Sequence, residues 1–268
     1  MGISQIEKIQ NKLERITRKW WFFLLLLILF FIPAYASKGI DPSETPNLIK
    51  EVLSNPLIYT FPLLMPIAKI IPILLVIAII IFRTKITRIF NIYVAVLSVA
   101  LTLFQTTAIT GTYGFVILSG NLALTLVVAL FWIWEAIANK NDFTPRKQKL
   151  WKWWVVPFAF FAFWFPVDMN TITPNFSPLY IFTNESGLTY CMMTPVILAI
   201  LTLFHPNINK ATFRVTSFVG IIFGTINFVT WFILNATMWW MGVLHLPLLS
   251  ISIYAFIISM RNTAKGAN

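Results

Sequence analysis

Charge is scarce in this chain, and acidic charge is scarcest. Only 11% of its 268 residues are charged, with nine Asp or Glu against 20 Lys or Arg. A soluble domain carries about a quarter charged residues, so this chain has too little polar side chain to cover itself in water. Cysteine is limited to Cys191, which excludes a disulfide within the chain and any site built on several thiolates. Histidine is limited to His205 and His245. The topology derived below puts them on opposite sides of a membrane, so a bis-His haem or His-based metal cluster has no ligand set. There is no Gly-rich phosphate loop, H-E-x-x-H or G-x-S-x-G. The carboxylates are scattered, without the acidic pair of a prenyl or glycosyl transferase. No cofactor is expected, and no segment is long enough for a nucleic-acid module.

What is present is apolar. Hydrophobic residues make up 58% of the chain and aromatics 16%, including 25 Phe. A helix needs roughly 20 apolar residues to cross the hydrocarbon core. Eight runs come close: 20–36, 56–82, 89–109, 113–138, 153–167, 188–204, 215–234 and 238–260. None alternates as a β-barrel strand would. The expected fold is an all-α integral membrane protein, a bundle of about eight transmembrane helices.

Orientation follows from the positive-inside rule. With the N-terminus inside, Lys8, Lys12, Arg15, Arg18 and Lys19, then Arg83, Lys85 and Arg88, fall on the inner side. So do Lys140, Arg146, Lys147, Lys149, Lys152, Lys210, Arg214, Arg261 and Lys265. Only Lys38 and Lys50 fall outside, and Lys69 lies within a span. One miscounted span would move every later loop to the other side. Both termini are therefore expected in the cytoplasm, in a plasma-type membrane. The tryptophans gather near span ends, where indole rings prefer the headgroup level.

Segment 1–19 is amphipathic, with Ile3, Ile6, Ile9, Leu13 and Ile16 at helical spacing among Lys and Arg. It reads as a helix lying on the inner leaflet. Residues 20–36 end in Ala34-Tyr35-Ala36, a small-x-small pattern like a signal-peptide cleavage site. The long basic start and the spans that follow favour a retained first helix. Asn175, Asn184 and Asn235 each open an Asn-x-Ser/Thr triplet on the expected outer side, which permits glycosylation without implying it.

The two halves, 20–138 and 153–260, read as candidate copies joined by the basic loop 139–152, with a tail at 261–268. Lys19-Trp20-Trp21 and Pro33 match Lys152-Trp153-Trp154 and Pro166. Thr60, Phe61 and Pro66 match Thr189, Tyr190 and Pro195. The offset is about 120–135 residues. Four spans per half would make a parallel 4+4 duplication, as in parallel-repeat transporters.

Polar groups inside a membrane are expensive, so a functional reading starts from them. At about 1.5 Å per helical residue, Lys69 and Asn227 lie roughly 20 Å above the inner boundary. Asp168, His245 and Gln105 lie roughly 24–25 Å up, and Asn121 somewhat higher. Six residues from different spans or span ends thus share one layer. They suggest an outward-facing polar site around Lys69, with Asp168 as its partner and a dry inner half beneath. Pro66 and Pro72 flank Lys69 and can kink its helix. Glu135 with Lys140 reads as an interfacial pair.

Two functions compete. One is a small-solute permease whose Lys69, Asp168, His245, Gln105, Asn227 and Asn121 bind a polar or anionic solute. The other is a non-catalytic subunit or scaffold of a larger membrane complex, packing its aromatics on partner helices or on a second copy. An enzyme would need Asp168 and Glu185, with or without His245, to converge on a lipid-linked substrate, and the sequence favours it least.

Overall fold

The computed structural model describes residues 3–145, 148–169 and 171–261. Arg146 and Lys147 of the basic loop, and the tail from 262 with Lys265, lie outside the described residues. In the first half, α1 (Ile3–Ile16), α2 (Trp20–Phe30), β1 (Tyr35–Ala36), α3 (Thr45–Ser54), α4 (Leu64–Phe82), α5 (Thr87–Ala100), β2 (Thr107–Thr110), β3 (Gly114–Ile117) and α6 (Ser119–Ala138) follow in order. The second half holds α7 (Val155–Trp164), β4 (Val167–Asp168), β5 (Thr173–Pro174), α8 (Tyr180–Thr183), α9 (Tyr190–Phe204), α10 (Lys210–Val229) and α11 (Trp239–Met260). The fold is all-α in class.

Each of the eight apolar runs contains a helix, but of unequal length. Among the described residues, four helical stretches are long and apolar enough to cross a membrane: Leu64–Gln105, Ser119–Ala138, Lys210–Leu234 and Ala236–Met260. A fifth arises if Tyr180–Leu188 and Tyr190–Phe204, bent by 100°, count as one span. Leu64–Gln105 is broken at Arg83, whose φ is 53°, so it holds two of the expected runs. Only 28% of its most apolar window is buried, so that surface needs an apolar surround. The helices α2 and α7, with 11 and 10 residues, are shorter than their runs because Pro33 and Pro166 stop them.

The runs 89–109 and 113–138 also supply a pair of strands. Residues 107–110 and 114–117 form an antiparallel hairpin, and β1 adds to it in the order β1-β3-β2. β-Branched Thr107, Ile109, Thr110, Val116 and Ile117 suit strands, and Gly114 supplies the positive φ of 73° at the turn. The Tyr35-Ala36 pair of the small-x-small pattern thus sits in register with Ile117 and Val116. Asp41 starts the turn that leads into α3 by accepting the Ser43 amide at 2.9 Å. Leu48 and Val52 of α3 then pack on Ala108, Val116 and Leu118. Residues 37–55, between the first two apolar runs, therefore form a small cap over one end, the sheet end.

At the opposite, basic end lie α1 and most of the described Lys and Arg. Contacts fix the helix directions. Phe22 meets Phe131 late in α6, while Phe30 meets Gly120 at its start. Asn91 reaches Glu135, and Gln105 reaches Tyr190. Trp154 meets Tyr254 and Phe165 meets His245. Phe204 meets Phe143, which meets Phe90. Helices α2, α5, α7 and α10 therefore rise from the basic end, and α6, α9 and α11 return. Helix α4 also returns, since Lys69 meets Phe163 while Leu75 lies beside Phe90 and Tyr93. One apolar core centred on Leu26, Phe90, Trp132, Leu198, Phe213 and Leu248 runs through them.

Candidate functional site

Lys69 is fully buried. Its Nζ donates to the carbonyl of Phe163 and to Ser186 Oγ, and lies 4.3 Å from the Phe163 ring centroid. Ser186 Oγ donates to the same carbonyl at 2.6 Å. Asn184 Nδ2 donates to the carbonyls of Trp164 and Phe165 at 2.9 and 2.8 Å. These are the last carbonyls of α7, orphaned where Pro166 stops the helix. Lys69 is thus a cation capping a helix C-terminus, where the macrodipole favours it. Gly187 permits the approach: a Cβ there would lie 2.6 Å from the Ala68 carbonyl. The Ser186 proton goes to Phe163, and Lys69 acts as a donor, so this pair is not a base-activated nucleophile.

The other expected site residues divide into separate groups. Asp168 pairs through β4 with Thr173 of β5 and is not bonded to Lys69. His245 Nδ1 lies 2.7 Å from the Met241 carbonyl, and its ring stacks on Trp231 with centroids 6.4 Å apart. Trp231 Nε1 donates to Asn227 Oδ1 at 3.2 Å, so Asn227 and His245 share one aromatic neighbour. Gln105 Oε1 accepts the Tyr190 amide at 2.9 Å, which caps the start of α9. Asn121 sits in the first turn of α6, and its carbonyl accepts from Thr125. The structure does not gather these groups around one opening. Lys69 cannot line an open cavity while fully buried.

An opening lies at the basic end. A cleft of about 650 Å³ is walled by Glu7, Gln10, Asn11 and Glu14 of α1, by Lys140 and Asp142, and by residues 206–209. Its floor is a buried network. Gln10 Nε2 donates to Asn209 Oδ1 at 2.8 Å, and Trp134 Nε1 donates to Gln10 Oε1 at 2.8 Å. Behind them Glu135 is fully buried. Its carboxylate accepts from Asn209 Nδ2 at 2.6 Å, from the Asn141 amide at 2.7 Å and from Asn91 Nδ2 at 3.0 Å. The expected Glu135–Lys140 ion pair is absent. The carboxylate is held by amides, because Asn139 ends α6 in the left-handed conformation at φ 47° and turns the chain so that Asn141 faces back.

Asn209 links this network to α10. Its Oδ1 caps the helix by accepting the amides of Ala211 and Thr212 at 3.1 and 3.3 Å. One turn on, Arg214 is fully buried. It donates to Thr17 Oγ1 at 2.7 Å and to the Ser259 carbonyl at 2.9 Å, which places a second cation at a helix C-terminus, that of α11. Helix α1 is therefore pinned to the bundle by a polar edge, Gln10 and Thr17, beside its apolar stripe. Between α9 and α10, His205 is buried, and its Nε2 has no hydrogen-bond partner. Burial, and then the ammonium groups of Lys152 and Lys210, push its imidazole down to about 4.

No protein-family model matches the chain, nor does any curated protein or solved structure.

Proposed function

We propose that the chain crosses a plasma-type membrane eight times as two like-oriented four-helix halves and acts as a small-solute permease. Its solute site is the cleft at the basic end, which faces the cytoplasm. The observation that carries this reading is the continuity of an open polar cleft with a buried network between α1, α5, α6 and α10. The opposite end is closed by the β1-β3-β2 cap and by the Lys69 clasp. In this reading Lys69 belongs to a seal, and the bound solute meets Gln10, Asn209 and the carboxylates around them. Pro72, Pro195 and Pro247 lie inside α4, α9 and α11 and serve as bend points.

Eight crossings are supported by the strict alternation of helix direction and by the bias of Lys and Arg to one end. Duplication is supported by matched irregularities. β1 and β4 follow α2 and α7. 3₁₀ turns at Leu57–Thr60 and Glu185–Leu188 precede α4 and α9, and π-turns at Leu101–Gln105 and Thr230–Leu234 end α5 and α10. α6 packs on α2 and α5 as α11 packs on α7 and α10. Such π-turns are rare in helices, so a pair in register is a strong sign of copying.

The test is flux into proteoliposomes, scanned over labelled amino acids, polyamines, sugars and small anions. Some solute should be carried by the wild type and carried poorly by Asn209→Ala, with insertion unchanged. Equal flux in both, or none for any solute, would overturn the reading.

A further inference from the structure

The lining of the cleft also gives a class of solute, and this step rests on the permease reading. Cations gather at the basic end, yet the cleft is acidic. Glu7, Glu14 and Asp142 line it, against Lys140 alone. With Glu135 behind the floor, four of the chain's nine carboxylates converge on one cavity in a protein of net charge +11. An anion finds no free helix N-terminus there, because the Ala211 and Thr212 amides are taken by Asn209.

A bare metal ion is a poor fit as well. Among the described residues, no three His, Cys, Asp or Glu side chains come together as a metal site. The carboxylates are spread over the walls: Glu14 holds Gln10 at 3.1 Å, and Asp142 faces Thr144 and Asn207. Separated carboxylates suit a ligand whose charges are also separated. A volume of about 650 Å³ lies within the range of small-molecule sites, about 300–1,000 Å³. The amides of Gln10, Asn11, Asn207 and Asn209 supply further hydrogen-bonding partners between the carboxylates.

We infer that the cleft binds an organic cation bearing two or more ammonium or guanidinium groups, which Glu7, Glu14 and Asp142 receive in turn. The cation stays solvated at the rim and does not displace the amides from Glu135.

Calorimetry on the purified full-length protein, with spermidine and agmatine as probes, tests this. The wild type should bind at least one of them saturably, and more weakly as salt rises. Three neutralised, partly exposed carboxylates should together weaken binding about tenfold, so E7Q/E14Q/D142N is the key variant. E7Q alone, at an exposed position, should weaken binding about threefold and guards against a folding defect in the triple variant. Absence of binding by both probes, or equal affinity in all three proteins, overturns the inference. If a neutral or anionic solute is carried while both probes fail, the class is wrong and the permease reading stands. If no solute is bound or carried, both fail.

Discussion

Replacing Glu135 by alanine removes the carboxylate on which α1, α5, α6 and α10 are tied together. Four donors lose their acceptor: Asn91 Nδ2, Asn209 Nδ2 and the backbone amides of Asn141 and Lys140. Two of them keep a second partner, since Asn91 also reaches Asn139 Oδ1 at 3.0 Å and Asn209 also reaches Gln10 Oε1 at 3.2 Å. The two backbone amides are orphaned, at about 1–3 kcal/mol each. Together with the lost charge-assisted bonds, Glu135→Ala should cost about 3–5 kcal/mol. Glu135→Gln keeps the volume and one acceptor but opposes its new amide to Asn209. Asn209 cannot turn over without uncapping α10, so this variant should cost about 1–2 kcal/mol. Reversible denaturant unfolding in detergent micelles measures both. A cost below about 0.5 kcal/mol for Glu135→Ala would refute this role of the Glu135 network. So would a full cost for Glu135→Ala beside none for Glu135→Gln, because lost volume alone would then explain both.

Lys69 offers a contrast between charge and volume. Lys69→Met should stay within about 1 kcal/mol of wild type, since Ser186 still satisfies the Phe163 carbonyl, whereas Lys69→Ala opens a cavity and should cost about 2–4 kcal/mol. Thermal melts of the two variants check the ranking. His205 should make stability fall as pH falls from about 6.5 towards 4. The unfolded chain binds a proton there that the folded one excludes, with an upper bound of about 3 kcal/mol. Melting temperature against pH should lose that slope in His205→Gln. At the sheet end, Gly114→Ala meets a positive φ, and its added Cβ would clash with Ser37 Oγ and lie 3.1 Å from Lys38 Cγ. It should cost about 1–3 kcal/mol, read by the same melts.

Much of the bundle was legible because its signals are local. Runs of apolar residues located α6, α10 and α11, and isoleucine spacing located α1, whereas the runs 20–36 and 153–167 overran Pro33 and Pro166, short of which α2 and α7 end. The hairpin at 107–117 was hidden because its apolar strands abut apolar helices, although Gly111 and Gly114 marked the turn. The partner of Lys69 was missed because a helix C-terminus is an acceptor with no side chain to announce it. The Glu135 network was missed for another reason. Its members, Gln10, Asn91, Asn141 and Asn209, are ordinary residues that long-range packing brings together. A signal did exist. Glu135 is the lone carboxylate of an apolar helix, and Asn91 stands at the same inner end of the run 89–109. The depth comparison that grouped the outer polar residues would have grouped these too.

The measurement that bears most directly on the account is two-sided accessibility of its two ends. In a Cys191→Ser background, Asn11→Cys at the cleft and Ser43→Cys at the sheet end are reacted with a membrane-impermeant maleimide in oriented vesicles. Asn11→Cys should label only from the cytoplasmic face, with protection by a carried solute, and Ser43→Cys only from the opposite face. Labelling of both from one face would contradict the eight-crossing arrangement and the cytoplasmic cleft built on it.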